Sequence, residues 1–75
     1  MSPECALKPS KHLIEKARDM GVSLDEAERL ANRGTKKRGK TLRGESCVIA
    51  SNQWKEVTYT EPRECTYFGI TISYK

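Results

Sequence analysis

The sequence has few of the residues that build common catalytic and metal sites. Its 75 residues include one histidine, His12, one tryptophan, Trp54, and one phenylalanine, Phe68. Three cysteines, Cys5, Cys47 and Cys65, lie far apart with no Cys-x-x-Cys pair. That pattern lacks the ligand spacing of a zinc site, and a structural zinc would have to recruit His12 from a distant segment. It fits reduced thiols in a cytoplasm, with Cys47 a small apolar filler inside a strand. The glycines match no P-loop or dinucleotide fingerprint. No apolar run is long enough to span a membrane, and the opening Met-Ser-Pro-Glu-Cys-Ala-Leu-Lys-Pro has no hydrophobic signal core. The expectation is a cytoplasmic protein with no membrane partner, no metal and no cofactor.

What is present is charge, unevenly placed. The chain carries 14 Lys and Arg against 10 Asp and Glu, a net of +4. Residues 33–43, Arg-Gly-Thr-Lys-Lys-Arg-Gly-Lys-Thr-Leu-Arg, hold Arg33, Lys36, Lys37, Arg38, Lys40 and Arg43 and no acid. The rest of the chain is therefore slightly acidic. A glycine-hinged basic strip on an otherwise acidic domain is what RNA or another polyanion meets first. A solvated loop without a partner has the same composition. If all six cations contacted single-stranded phosphates, binding would fall with salt at a log–log slope of about −4.

At 75 residues, with 36% apolar and 32% charged side chains, the chain makes one domain with a core that only narrowly offsets chain entropy. It either stands alone with little spare stability or is completed by a partner or by homodimerisation. The sequence predicts an irregular lead-in over 1–9, a helical hairpin over 10–33, a basic connector over 34–45 and an antiparallel sheet over 46–75. Ser10 reads as the N-cap of a helix over Lys11 to Met20, with a stripe of Leu13, Ile14, Ala17 and Met20 and a stop at Gly21. Ser23-Leu-Asp-Glu26 reads as a capping box, with Val22 and Ala27 as its hydrophobic staple. The second stripe is Leu24, Ala27, Leu30 and Ala31, and this helix is expected to fray near Asn32 to Gly34.

Beyond the connector the period changes to alternation. Ser46 to Ala50 and Trp54 to Thr60 form a hairpin about a Ser51-Asn52-Gln53 turn. Glu61 to Glu64 is expected to break the second arm. In the last strand Phe68, Ile70, Ile72 and Tyr74 alternate with Tyr67, Gly69, Thr71, Ser73 and Lys75, the first set facing the core. The fold class is α+β, two N-terminal helices on one face of a three-stranded antiparallel sheet. A short fourth strand is allowed near Thr41 to Arg43.

His12 falls in the first turn of the first helix, where the helix dipole disfavours the imidazolium and favours a neutral base. The alternative is an ordinary surface histidine beside Lys11. Trp54, Tyr59 and Tyr67 lie on strands and could supply stacking platforms, although a sole tryptophan in so small a domain is expected to anchor the core.

The order of parts carries a family resemblance. "SKHLIEKARDMGVSLDEAERLANRG", a basic connector, a hairpin and a closing "YFGITISYK" resemble small bacterial and phage domains of the barnase–colicin–RelE superfamily of ribonucleases. The resemblance covers roughly residues 10 to 75. It implies a toxin-type endoribonuclease that needs no metal. His12 would match the helix-opening histidine, Arg38 and the other connector cations the phosphate contacts, and Thr71 or Tyr74 a polar group of the last strand. The candidate catalytic set is thus His12, Arg38 and Thr71. Strand arginines usual in RelE-type members are missing here, where only Lys55 and Lys75 fall on strands. The resemblance also implies a cognate antitoxin as partner. The competing reading is a non-catalytic mobile-element protein that inhibits a host nucleic-acid-handling complex, in the manner of anti-CRISPR and other anti-defence proteins.

Overall fold

The computed structural model of the protein describes residues 5–75; residues 1–4 of the expected lead-in lie outside the described residues. The elements run β1 (Ala6–Pro9), α1 (Lys11–Met20), α2 (Leu24–Arg33), β2 (Thr35–Lys40), β3 (Ser46–Ser51), β4 (Lys55–Arg63) and β5 (Thr66–Tyr74). The five strands form one sheet in the order β1-β5-β4-β3-β2. The fold is α+β as expected, but the sheet is larger and mixed, because β1 lies parallel to β5 while every other pair is antiparallel.

Both helices begin on serine caps. Ser10 Oγ accepts from Leu13 N at 3.1 Å and donates to the Ile70 carbonyl at 2.9 Å, so the cap also pins α1 to β5. Gly21, at φ 72°, ends α1, and Val22 N reaches back to the Ala17 carbonyl at 2.8 Å. Ser23 Oγ accepts from Glu26 N at 3.1 Å. The reciprocal half of the expected capping box is replaced: Glu26 Oε1 instead accepts from Lys55 Nζ at 3.1 Å. Of the stripes, Leu13, Ala17, Ala27, Leu30 and Ala31 are buried, while Ile14 and Leu24, at the stripe edges, stay exposed.

The helices cover one face of the sheet. Leu13 of α1 and Ala27, Leu30 and Ala31 of α2 pack on Ala50, Val57, Tyr59, Tyr67 and Ile72. The small residues let the helices approach closely. A Cβ on Gly69 would lie 2.6 Å from Leu13 Cδ1, and one on Gly34 would lie 2.7 Å from the Leu30 carbonyl oxygen.

Five expectations are corrected. The lead-in is partly strand β1, because α2 supplies the polar partners it lacks: Glu28 Oε2 accepts from Leu7 N at 3.1 Å, and Asn32 exchanges bonds with Cys5 N and O at 2.8 and 2.9 Å. The same contacts hold the last turn of α2, which ends at Arg33 with Gly34 as its cap, within the expected 32–34 range. Cys5 and Cys65 are joined as a disulfide, so those thiols are not reduced; only Cys47 is free, and it is buried. The connector is strand β2 over Thr35–Lys40, paired along its length with β3, and Thr41 to Arg43 is turn rather than strand. Pro62 does not break β4, which runs to Arg63 through an irregularity between Thr60 and Arg63.

The fifth correction concerns which face of β5 is buried. Tyr67, Gly69 and Ile72 point to the helices, whereas Phe68 and Tyr74 are exposed. The ladder pairs Thr58 with Thr71 but Tyr59 with Gly69, which leaves Ile70 as an extra residue. Such a bulge inverts the alternation on one side of it.

Candidate nucleic-acid interface

β2 is an outermost strand, and its register sorts its cations. Lys36 is opposite the buried Ala50, so Lys36, Arg38 and Lys40 fall on the helix-bearing face, and Lys37 falls on the bare face opposite Ile49. All four are exposed. Residues two apart on a strand are about 6.8 Å apart, close to the repeat of phosphates along an extended single strand. The β2–β3 turn is tight: Thr41 N donates to the Glu45 carbonyl at 2.8 Å, Glu45 N to Thr41 Oγ1 at 3.2 Å, and Gly44, at φ 82°, makes the reversal.

The strand is anchored by a lysine–tyrosine stack. Lys36 Nζ donates to the Tyr67 hydroxyl at 3.1 Å and lies 5.4 Å from the centre of that ring. Tyr67 packs on Tyr59 with centroids 4.3 Å apart, and the Tyr59 hydroxyl donates to the Ala31 carbonyl at 3.3 Å. The Tyr67 hydroxyl raises the Lys36 pKa above its ordinary value, against a smaller opposing effect of burial, so the ammonium stays charged. Burial raises the Tyr59 pKa, with the Lys36 charge working against it.

Beside this stack the sheet opens. The β3–β4 ladder stops at Val48 and Tyr59, although β3 begins at Ser46 and β4 continues to Arg63. A cavity of about 270 Å³ lies there, lined by Lys36, Lys37, Arg38, Val48, Tyr59 and Glu61. Glu61, whose Oε2 accepts from Cys65 N at 2.9 Å, is the one carboxylate among these cations.

The remaining candidates are dispersed. Arg33 ends α2, and Arg43 lies in the β2–β3 turn. His12 is the second residue of α1 and is exposed; α1 packs on β5, on the far side of the sheet from β2. Thr71 pairs with Thr58 on the bare face, opposite the helices. Two strands separate β5 from β2, a distance of about 14 Å between their backbones. Arg38 lies at the β2 edge of the helix-bearing face, His12 on the helix over β5, and Thr71 on the bare face, so the three do not converge. Among the described residues no cluster of three His, Cys, Asp or Glu side chains is placed to hold a metal. No helix among them is long and apolar enough to cross a membrane.

Sequence reasoning missed the Tyr59–Tyr67 pair as the anchor of the strip, because the inverted face of β5 hides it. Trp54 does not anchor the core, since it is 67% exposed in the bend just before β4. Comparison of the chain with protein families, with curated proteins and with solved structures finds no match.

Proposed function

We propose that the protein is an RNA-directed binding module that engages phosphates along the β2 edge. The observation that carries this reading is the row of Lys36, Arg38 and Lys40 with Lys37 behind it, on an ordered outermost strand that contains no acid. An ordered strand presents its cations at a fixed spacing, so less entropy is lost on binding than with a loose loop. The endoribonuclease implied by the resemblance would need His12, Arg38 and Thr71 around one phosphate, and their separation favours binding over cleavage. A second reading is supported by the same edge: an unpaired strand edge can accept a strand from a host protein, as an anti-defence protein would require.

The test is the anisotropy of a fluorescein-labelled 12-nucleotide RNA across a salt series. Four contacting cations give a log–log slope of about −3. Lys37→Ala/Arg38→Ala/Lys40→Ala is expected to remove most of the affinity while Lys36 still anchors the strand. Absence of salt-dependent binding by the wild type rejects the RNA reading and leaves the protein-partner one. A denaturing gel of the same mixtures reports cleavage, and discrete products lost in His12→Ala would reinstate the endoribonuclease.

A further inference from the structure

We infer that the ligand is a single strand, and that it passes from β2 through the cleft at the strand's N-terminal end to stack a base on Trp54. This rests on the reading of β2 as a phosphate-binding edge. Trp54 is the sole tryptophan in a domain short of core material, yet it stands 67% exposed. Its backbone is not loose. Asn52 Oδ1 accepts from both Trp54 N and Lys55 N at 2.8 Å, and the Trp54 carbonyl accepts from Lys75 N at 2.9 Å. A large ring on a fixed backbone binds with little loss of entropy, which is the property of a stacking platform.

A cleft runs from the start of β2 to Gln53 and Lys75, the sequence neighbour and the backbone partner of Trp54. It has a volume of about 480 Å³, and Arg33, Thr35, Ser51, Asn52, Gln53 and Lys75 line it with no Asp or Glu side chain. It opens at Thr35, where β2 begins, and ends at Lys75, whose N–H holds Trp54. Cations thus follow one another from Lys40, Arg38 and Lys36 to Arg33 and Lys75, and the hydroxyl and amide groups between them suit phosphate and sugar oxygens. Six residues of β2 span roughly 20 Å, so strand and cleft together accommodate several nucleotides. In a duplex the bases are already stacked and paired, and an exposed indole has no face to meet. In a single strand every base offers one.

The experiment titrates the protein with a 12-nucleotide oligo-U RNA, the matching oligo-dT DNA and a 12-base-pair RNA duplex, reading the emission of Trp54 beside the anisotropy of labelled ligand. The expected result is quenching by the single strands and at least ten-fold tighter binding of either than of the duplex. Trp54→Ala is expected to weaken single-strand binding by roughly 5- to 150-fold, the range for one stacked base. Trp54→Phe should recover much of the loss and controls for folding. Unchanged emission with full affinity in Trp54→Ala, or equal binding of the duplex, overturns the inference while the β2 edge still stands. Absence of binding by all three ligands overturns both.

Discussion

The Lys36 ammonium, on the outermost strand, donates to the hydroxyl of Tyr67, 31 residues later on a strand three places across the sheet. The contact ties the most basic segment of the chain to its buried aromatic pair. It keeps one cation of the strip fixed and charged, and Lys37, Arg38 and Lys40 are exposed beside it.

That contact, which raises the Lys36 pKa, and the burial that raises the Tyr59 pKa make stability sensitive to alkaline pH. The pKa values of Lys36 and Tyr59 are both raised in the folded chain above ordinary values of 10.5 and 10.0. Between unfolded and folded values the folded chain keeps protons that the unfolded chain has lost, so their contribution is whole below about pH 10 and declines as pH rises through the folded values. The decline cannot exceed about 1.4 kcal/mol per pH unit for each proton, and solvent at Lys36 keeps its share well below that. Urea denaturation at pH 8, 9, 10 and 10.5 is expected to show constant stability to about pH 9.5 and a fall beyond it. The fall should be shallower in Tyr67→Phe. Identical slopes in both proteins would refute the coupling.

The Cys5–Cys65 disulfide closes a loop of 60 residues in sequence separation and holds β1 against β5. Loop-closure entropy assigns such a cross-link about 4 kcal/mol, with 2–4 kcal/mol typical. Cys5→Ser, or reduction with dithiothreitol, is therefore expected to lower Tm by at least 10 °C in a domain of this size. Amide exchange should quicken first at Leu7 and Lys8, leaving β3 and β4 protected. A chain equally stable with and without reductant would show that the hydrogen bonds from Asn32 and Glu28 hold β1 by themselves. A cross-link of this kind persists most readily in oxidising compartments.

Gly34 is a helix–sheet joint whose nearest neighbours are backbone atoms, unlike Gly69, which meets the end of the Leu13 side chain. A methyl group there would meet the Leu30 carbonyl oxygen at 2.7 Å and Ser51 N at 2.9 Å, both backbone atoms that cannot step aside. At Gly21 nothing lies within 4 Å, and only its φ of 72° opposes a side chain. Gly34→Ala is expected to destabilise by about 2–3 kcal/mol through overpacking, and Gly21→Ala by about 1 kcal/mol through the left-handed conformation alone. Thermal denaturation of both variants tests the order, and a milder effect at Gly34 would contradict the packing.

The parts of the fold legible in the chain are those written within a few neighbouring residues. Ser10, Gly21 and Ser23 mark helix ends through bonds spanning three to five residues, and Asn52 marks the β3–β4 turn in the same way. What misled the reading of β5 is equally specific. Phe68 and Ile70 look like core by alternation, but Leu13 enters the space that a side chain at Gly69 would fill, and the bulge at Ile70 then turns Phe68 outward. The candidate site divided likewise. Its cations were visible as composition, whereas the tyrosines that anchor it and the exposed tryptophan beside it were assigned to the wrong surfaces.

The sequence by itself determined the two helices, the central hairpin and the concentration of positive charge in one segment, because caps, turn residues and charge are local properties. The tertiary structure decided that this charged segment is an edge strand, that the lead-in is a parallel strand clamped by a disulfide, and that His12, Arg38 and Thr71 stay apart. Strand pairing is made with residues tens of positions away. A polar segment such as Thr35–Lys40, with no apolar face of its own, becomes a strand only when β3 is already in place to accept its hydrogen bonds.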